Sequence, residues 1–199
     1  MLAESTVSGV LLAAGASRRF GADLPKQLWP VAGEALVRRV ARRALGSRLT
    51  EVIVVVGHQA GRVTAALAGL PVRIVENAAY SLGQASSVRA GLEAVSGAAS
   101  GSLFMPVDQP HLEIRVIDGL IELFEATGGP IVVPTFGGTR GAPVLFARSL
   151  FPELERLEGD AGGRQLFPLH ADGIIELPLA DSAALKDVDT PEDRQRLGF

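Results

Sequence analysis

The chain has 199 residues, 47% of them apolar, and a formal net charge of −3. This length suits one domain with a sizeable core, and the near-neutral balance excludes the global basic field that nucleic acid or an anionic membrane would require. There is no cysteine, which excludes disulfides, thiolate metal sites and a cysteine nucleophile.

The elements are read in chain order. Residues 7–14 read as a buried strand, and 35–45 as an amphipathic helix with arginines between its apolar positions. The β-branched run "EVIVVVG" (51–57) has the pattern of a central parallel strand. A helix at 59–68, a strand at 71–75, a helix at 86–95, a strand at 102–108, a helix at 113–126 and a strand at 130–134 follow. Residues 135–148 are glycine-rich and then apolar, as in a hairpin or irregular strand pair. Short helical segments at 149–157 and 161–169 precede late strands at 173–179 and 184–189, and Thr190 and Pro191 begin a last helix. Repeated strand–helix alternation predicts right-handed βαβ units and a mostly parallel sheet covered on both faces. The expectation is a single α/β domain over 1–199, with residues 1–6 flexible. No apolar run approaches the ~20 residues of a membrane helix, and the N-terminus lacks a secretion signal, so the chain is expected in the cytoplasm.

In open α/β sheets, ligands gather beyond the carboxyl ends of the strands. "GVLLAAGASRRFGADLPKQL" (9–28) carries the first strand into that position. Gly15 permits close backbone approach, while Arg18, Arg19 and Lys26 offer cations to phosphate oxygens. Ala16 and Ser17 after Gly15 exclude the dinucleotide fingerprint, and Ala22 and Asp23 after Gly21 exclude the P-loop pattern. From the residues alone, a phosphate loop and an ordinary strand–helix connection stand equal.

Asp108 in "FMPVDQPHL" ends a buried strand, where a carboxylate can hold Mg²⁺ or cap the next helix. "DVDTPED" (187–193) contains Asp187 and Asp189, whose alternation sends only one of them towards a site. Its Thr190 can cap a helix, with the acidic residues favouring the helix dipole. In "ENAAYSLGQASSVRAGL" (76–92), Ser86 and Ser87 are candidate helix caps. Arg140 suits a hairpin tip, and Asp160 with Arg164 a local i,i+4 pair. His58, His111 and His170 are scattered and lack metal-ligand spacing.

Taken together, these segments resemble the MobA-like nucleoside-triphosphate transferases. The match rests on Leu12-Ala13-Ala14-Gly15, Ser17, Arg19, Gly21 and Lys26, then on Asn77, Gly83, Ser86, Ser87 and Gly91, and on the "DQP" and "DVDTPED" motifs. The resemblance implies a Rossmann-like three-layer nucleotidyltransferase fold. It implies that Leu12, Ala13, Ala14, Gly15, Ser17 and Arg18 bind the nucleotide, with Asn77, Ser86 and Ser87 at the base and ribose. It gives Arg19, Lys26 and Asp108 the catalytic roles, and Asp108 with Asp189 the Mg²⁺, Asp187 being the other choice.

The "DQP" motif resembles the molybdenum-cofactor branch. "GGTRGAPVLF" (137–146) and "LEGDAGGRQLF" (157–167) resemble cytidylyltransferases and imply that Arg140 or Arg164 grips an anionic acceptor. Ala14, where guanylyltransferases carry glycine, favours CTP. The expected activity is therefore Mg²⁺-dependent transfer of CMP from CTP to molybdopterin, with release of pyrophosphate. Contact with a molybdoenzyme or maturation factor is a further implication. Nucleic acid and membranes are not expected partners. The long spacing in "GADLPKQL" is similar instead to isoprenoid-pathway cytidylyltransferases acting on methylerythritol phosphate. That activity, a guanylyltransferase on the same cofactor, and a non-catalytic nucleotide-binding protein remain the alternatives.

Overall fold

The structure, a computed structural model, describes residues 6–16, 24–188, 190 and 193. Among the described residues, ten strands are defined: β1 (Val7–Ala13), β2 (Pro30–Val31), β3 (Glu34–Ala35), β4 (Glu51–Val56), β5 (Arg73–Glu76), β6 (Gly101–Pro106), β7 (Ile131–Phe136), β8 (Thr139–Arg140), β9 (Val144–Ala147) and β10 (Ile174–Pro178). Five α-helices accompany them: α1 (Leu36–Leu45), α2 (Ala60–Ala66), α3 (Gln84–Ala94), α4 (Ile114–Thr127) and α5 (Phe151–Glu155).

The main sheet has the order β10-β7-β9-β6-β1-β4-β5, with β8 paired to β7. β1 lies at the centre of its parallel half, with Leu11 beside Val54 of β4 and Met105 of β6. β9 runs antiparallel to both neighbours, β6 and β7. Side-chain alternation divides the strands between two apolar cores. Val52, Val54 and Val56 face the core beneath α1, α2 and α4, whereas Ile53 and Val55 face the one beneath α3 and α5. This three-layer α/β arrangement, with its mostly parallel sheet, agrees with the expected fold.

Gly91 lets α3 lie flush on β1: a Cβ there would stand 2.5 Å from Val10 Cγ1. The approach carries the N-terminus of α3 to the carboxyl rim of the sheet.

Two expectations change. In the described part of the late strand expected at 184–189, residues 184–188, the chain instead makes the 3-10 turn Ala183–Leu185 and continues irregularly. Its apolar residues are spent on packing: Ala184 and Val188 are buried, and the Val188 N–H makes a single bond to Asp108 O at 2.9 Å. The helix expected at 161–169 shrinks to the 3-10 turn Gly163–Leu166, consistent with the helix-weakening pair Gly162–Gly163. Of residues 1–6, Thr6 alone is described; its hydroxyl donates to Ala98 O at 2.7 Å and its carbonyl accepts from Ser100 N. The other five lie outside the described residues. The β2–β3 hairpin was not expected; Ala32 and Gly33 turn it with φ of 49° and 86°, the positive values a two-residue hairpin needs.

Candidate active site

β1 ends in a loop whose carbonyls are held from below. The buried Gln27 side chain donates from Nε2 to Ala13 O at 3.1 Å and to Gly15 O at 2.6 Å. The intervening Ala14 O accepts from His58 N at 3.0 Å. Ala13 and Ala14 are buried, whereas Gly15 is exposed and a Cβ built on it meets nothing within 4 Å. Among the described residues, nothing crowds Gly15. Ala14 packs inward, and a Cβ on Gly57 would stand 2.9 Å from its methyl carbon. Ser17, Arg18, Arg19 and Gly21 lie outside the described residues.

Lys26 starts the 3-10 turn Lys26–Leu28, and its side chain crosses to the second strand-end. Nζ stands 2.8 Å from Asp108 Oδ2, with side-chain exposures of 10% and 23% for the two partners. The other carboxylate oxygen, Asp108 Oδ1, is buried and meets no hydrogen-bond donor among the described residues. An unsatisfied buried carboxylate oxygen is costly, and a hard cation would relieve it.

Asp187 lines the same cavity as Asp108, and Asp189 lies outside the described residues. Among the described residues, no three histidines or carboxylates converge as a ready-made metal cage. Such a site fits a Mg²⁺-like ion, which takes one or two carboxylates and completes its shell with water and substrate phosphates.

The cavity has a volume of about 380 Å³ and opens at the carboxyl rim. Its apolar floor comes from Leu12 of β1, Phe104 and Pro106 of β6, and Val144 and Phe146 of β9. Gln84, Asp160 and Arg164 add polar groups to the wall. That wall is locked to α3. Ala85 N donates to Gly159 O at 3.0 Å, and Arg89 donates to Leu157 O at 2.5 Å. A Cβ on Gly83 would come within 2.3 Å of the Gly159 carbonyl.

The two expected acceptor arginines separate. Arg164 lines the cavity. Arg140 turns to β10, donating from Nε to Glu176 Oε1 at 2.7 Å, and lies 5.9 Å from the Phe167 ring centroid.

Asn77, Ser86 and Ser87 come together as a buried brace. Asn77 Nδ2 donates to Ser86 Oγ at 2.8 Å and Ser87 Oγ at 3.0 Å, and its Oδ1 accepts from Ala79 N. The serines do not cap α3. They sit within its first turn, where Ser86 Oγ donates to Gly83 O at 2.8 Å.

Sequence reasoning missed the role of two α1 arginines. Arg43 Nη1 donates to Pro110 O at 2.5 Å and Leu112 O at 2.7 Å, and Arg39 Nε to Pro110 O at 3.2 Å. Together they grip the turn that follows Asp108. Burial pushes the Arg43 pKa below the ordinary arginine value, with the nearby Arg39 charge adding to the effect. A guanidinium keeps its charge through such a shift at physiological pH. The i,i+4 spacing of these arginines was visible in the sequence, but not the carbonyls they would meet.

A family model described as the MobA-like NTP transferase domain matches residues 9–174. The chain belongs to the MobA-like NTP transferase family. Among its relatives within reach, "Nicotine blue oxidoreductase" of Paenarthrobacter nicotinovorans is 34% identical over 96% of both chains. "Probable molybdenum cofactor guanylyltransferase" of Mycobacterium tuberculosis (strain ATCC 25618 / H37Rv) is 30% identical over 95% of this chain and 92% of that one. The crystal structure of Rv0371c from M. tuberculosis H37Rv superposes with a TM-score of 0.85 at 31% identity, covering 98% of each chain. A complex of Rv0371C with manganese gives 0.81 at 30% identity, covering 97% and 98%. No described helix of this MobA-like transferase is long and apolar enough to cross a membrane.

Proposed function

We propose that this MobA-like transferase moves CMP from CTP onto molybdopterin, using Mg²⁺, and releases pyrophosphate. The observation that carries the reading is the Lys26–Asp108 pair at 2.8 Å, on the rim of a cavity that Asp187 also lines. A cation for the triphosphate and carboxylates for a hard metal thus converge where the first loop meets the cleft. A terminal phosphate oxygen of the acceptor attacks the α-phosphorus in line. The bond from that phosphorus to the β-phosphate oxygen breaks, and pyrophosphate leaves. The protein supplies position and charge neutralisation and no nucleophile of its own. When bound, Mg²⁺ would be held by Asp108 with Asp187 or Asp189 and would draw charge from the phosphate oxygens.

The first loop supports CTP through Ala14, and "DQP" supports the molybdopterin acceptor. Arg164 is the acceptor arginine this geometry favours, since Arg140 is engaged by Glu176. Both substrates belong to the cytoplasm. The relative named guanylyltransferase makes GTP the direct competitor.

The 34% identity to a protein named nicotine blue oxidoreductase favours a second reading, in which the cavity seats a redox substrate with its electron carrier. One assay separates the readings: pyrophosphate release from each NTP with Mg²⁺ and molybdopterin or methylerythritol phosphate. Release with CTP and molybdopterin alone is expected. Release with GTP alone overturns the choice of base, and release with methylerythritol phosphate overturns the acceptor. No release from any pairing, together with tight binding of a reduced nicotinamide dinucleotide, overturns nucleotidyl transfer.

A further inference from the structure

We infer that Gln27 is the positioning residue of the phosphate loop. The inference rests on the nucleotide reading above. Gln27 is 1% exposed, and its amide reaches two carbonyls on the opposite limb of the loop, Ala13 O and Gly15 O. With His58 N on Ala14 O, three successive carbonyls are each taken by a protein donor.

A trans peptide holds its C=O and the following N–H in one plane, pointing in opposite directions. Turning the carbonyls of Ala13 and Gly15 towards Gln27 therefore turns the N–H groups of Ala14 and Ala16 away from it. A carbonyl oxygen facing a phosphate would repel it, whereas an N–H facing it attracts. Gln27 thus fixes the polarity of the loop, and it does so next to Lys26, the cation expected on the same phosphates. Without those two donations the Gly15 peptide loses its anchor, and a glycine without described neighbours within 4 Å of a built Cβ can turn over.

The test uses the full chain and inorganic tripolyphosphate, which reports on the loop without base or acceptor. Gln27→Met keeps the length of the side chain and removes both donors. Wild type is expected to bind tripolyphosphate by isothermal titration, and Gln27→Met at least tenfold more weakly, while the affinity for the nucleoside cytidine is unchanged. A folded Gln27→Met that binds tripolyphosphate as wild type does overturns the role of Gln27 alone. Wild type that binds neither tripolyphosphate nor any NTP overturns the nucleotide reading and this inference with it. If Gln27→Met does not fold, NMR of the wild type decides. Tripolyphosphate is expected to shift the amide protons of Ala14 and Ala16, and amides that stay in place overturn the inference.

Discussion

Lys26 and Asp108 are 82 positions apart in sequence and form one ion pair in space. Each balances the other's charge where solvent reaches little of either. Removing one partner of such a pair leaves the other uncompensated, so they are best displaced together. In the proposed reaction, a nucleotide arriving with its cation would do this, the phosphates taking Lys26 and the metal Asp108. Asp108→Ala should therefore lower pyrophosphate release more than a hundredfold at saturating Mg²⁺, a loss of roughly 3 kcal/mol of transition-state stabilisation. A steady-state assay checks it, and near-wild-type turnover would remove Asp108 from the metal site. The arginines give a second prediction at this scale. Arg164→Ala should raise the acceptor KM about tenfold, the loss of ~1.4 kcal/mol expected when a charge-assisted contact goes. Arg140→Ala should leave that KM within about twofold, because its loss breaks only a partly exposed ion pair worth under ~1 kcal/mol. The reverse pattern would move the acceptor's anionic end to the β8–β10 side.

At the scale of elements, the junction of α3 with the 157–162 segment is the tightest fit in the cavity wall. Gly83 has a φ of 105°, and a Cβ there would strike the Gly159 carbonyl carbon and oxygen, both at 2.3 Å. Gly83→Ala must move one of two backbones and strain its own, so it should cost about 2 kcal/mol or more of unfolding free energy. Urea titration checks this, and an unchanged midpoint would mean that the wall yields freely. This junction also marks where sequence reading stopped. The strands of β1, β4 and β6 were legible because buried parallel strands are written as uninterrupted apolar runs. The "DQP" and "LAAG" motifs were legible because each follows such a run. The brace of Asn77, Ser86 and Ser87 was not, since a serine near a helix start reads the same whether it caps the helix or lies inside its first turn. The arginine grip on Pro110 and Leu112 was not, because carbonyl acceptors leave no mark on residue identity. The segment at 184–189 alternates like a strand, yet among its described residues the apolar ones, Ala184 and Val188, are buried and no ladder forms.

Across the whole molecule, the site straddles the sheet's change of direction. The elements proposed to hold the nucleotide lie on the parallel half, at the ends of β1, β4 and β6 and the start of α3. The remaining wall comes from β9, its incoming connection and the 160–165 segment. β9 pairs in reverse, with Val144 beside Phe104 and Ala147 beside Gly101, so its beginning reaches the rim where its neighbour β6 ends. Ala142, just before β9, lines the cavity. Ala142→Val should narrow that side, raising the acceptor KM several-fold with the CTP Kd unchanged, as steady-state kinetics and calorimetry would show. An equal change in both constants would mean that the two halves do not act separately.

The reversal of β9 has a consequence for how such an enzyme diversifies. A strand that enters at the rim brings its preceding loop into the site, while its far end is anchored against Gly101. Insertions or substitutions in 137–143 can then reshape one substrate's seat without shifting the register of the strands that seat the other. A common chassis can keep its way of holding a triphosphate and still trade one acceptor for another, through a single short stretch of chain.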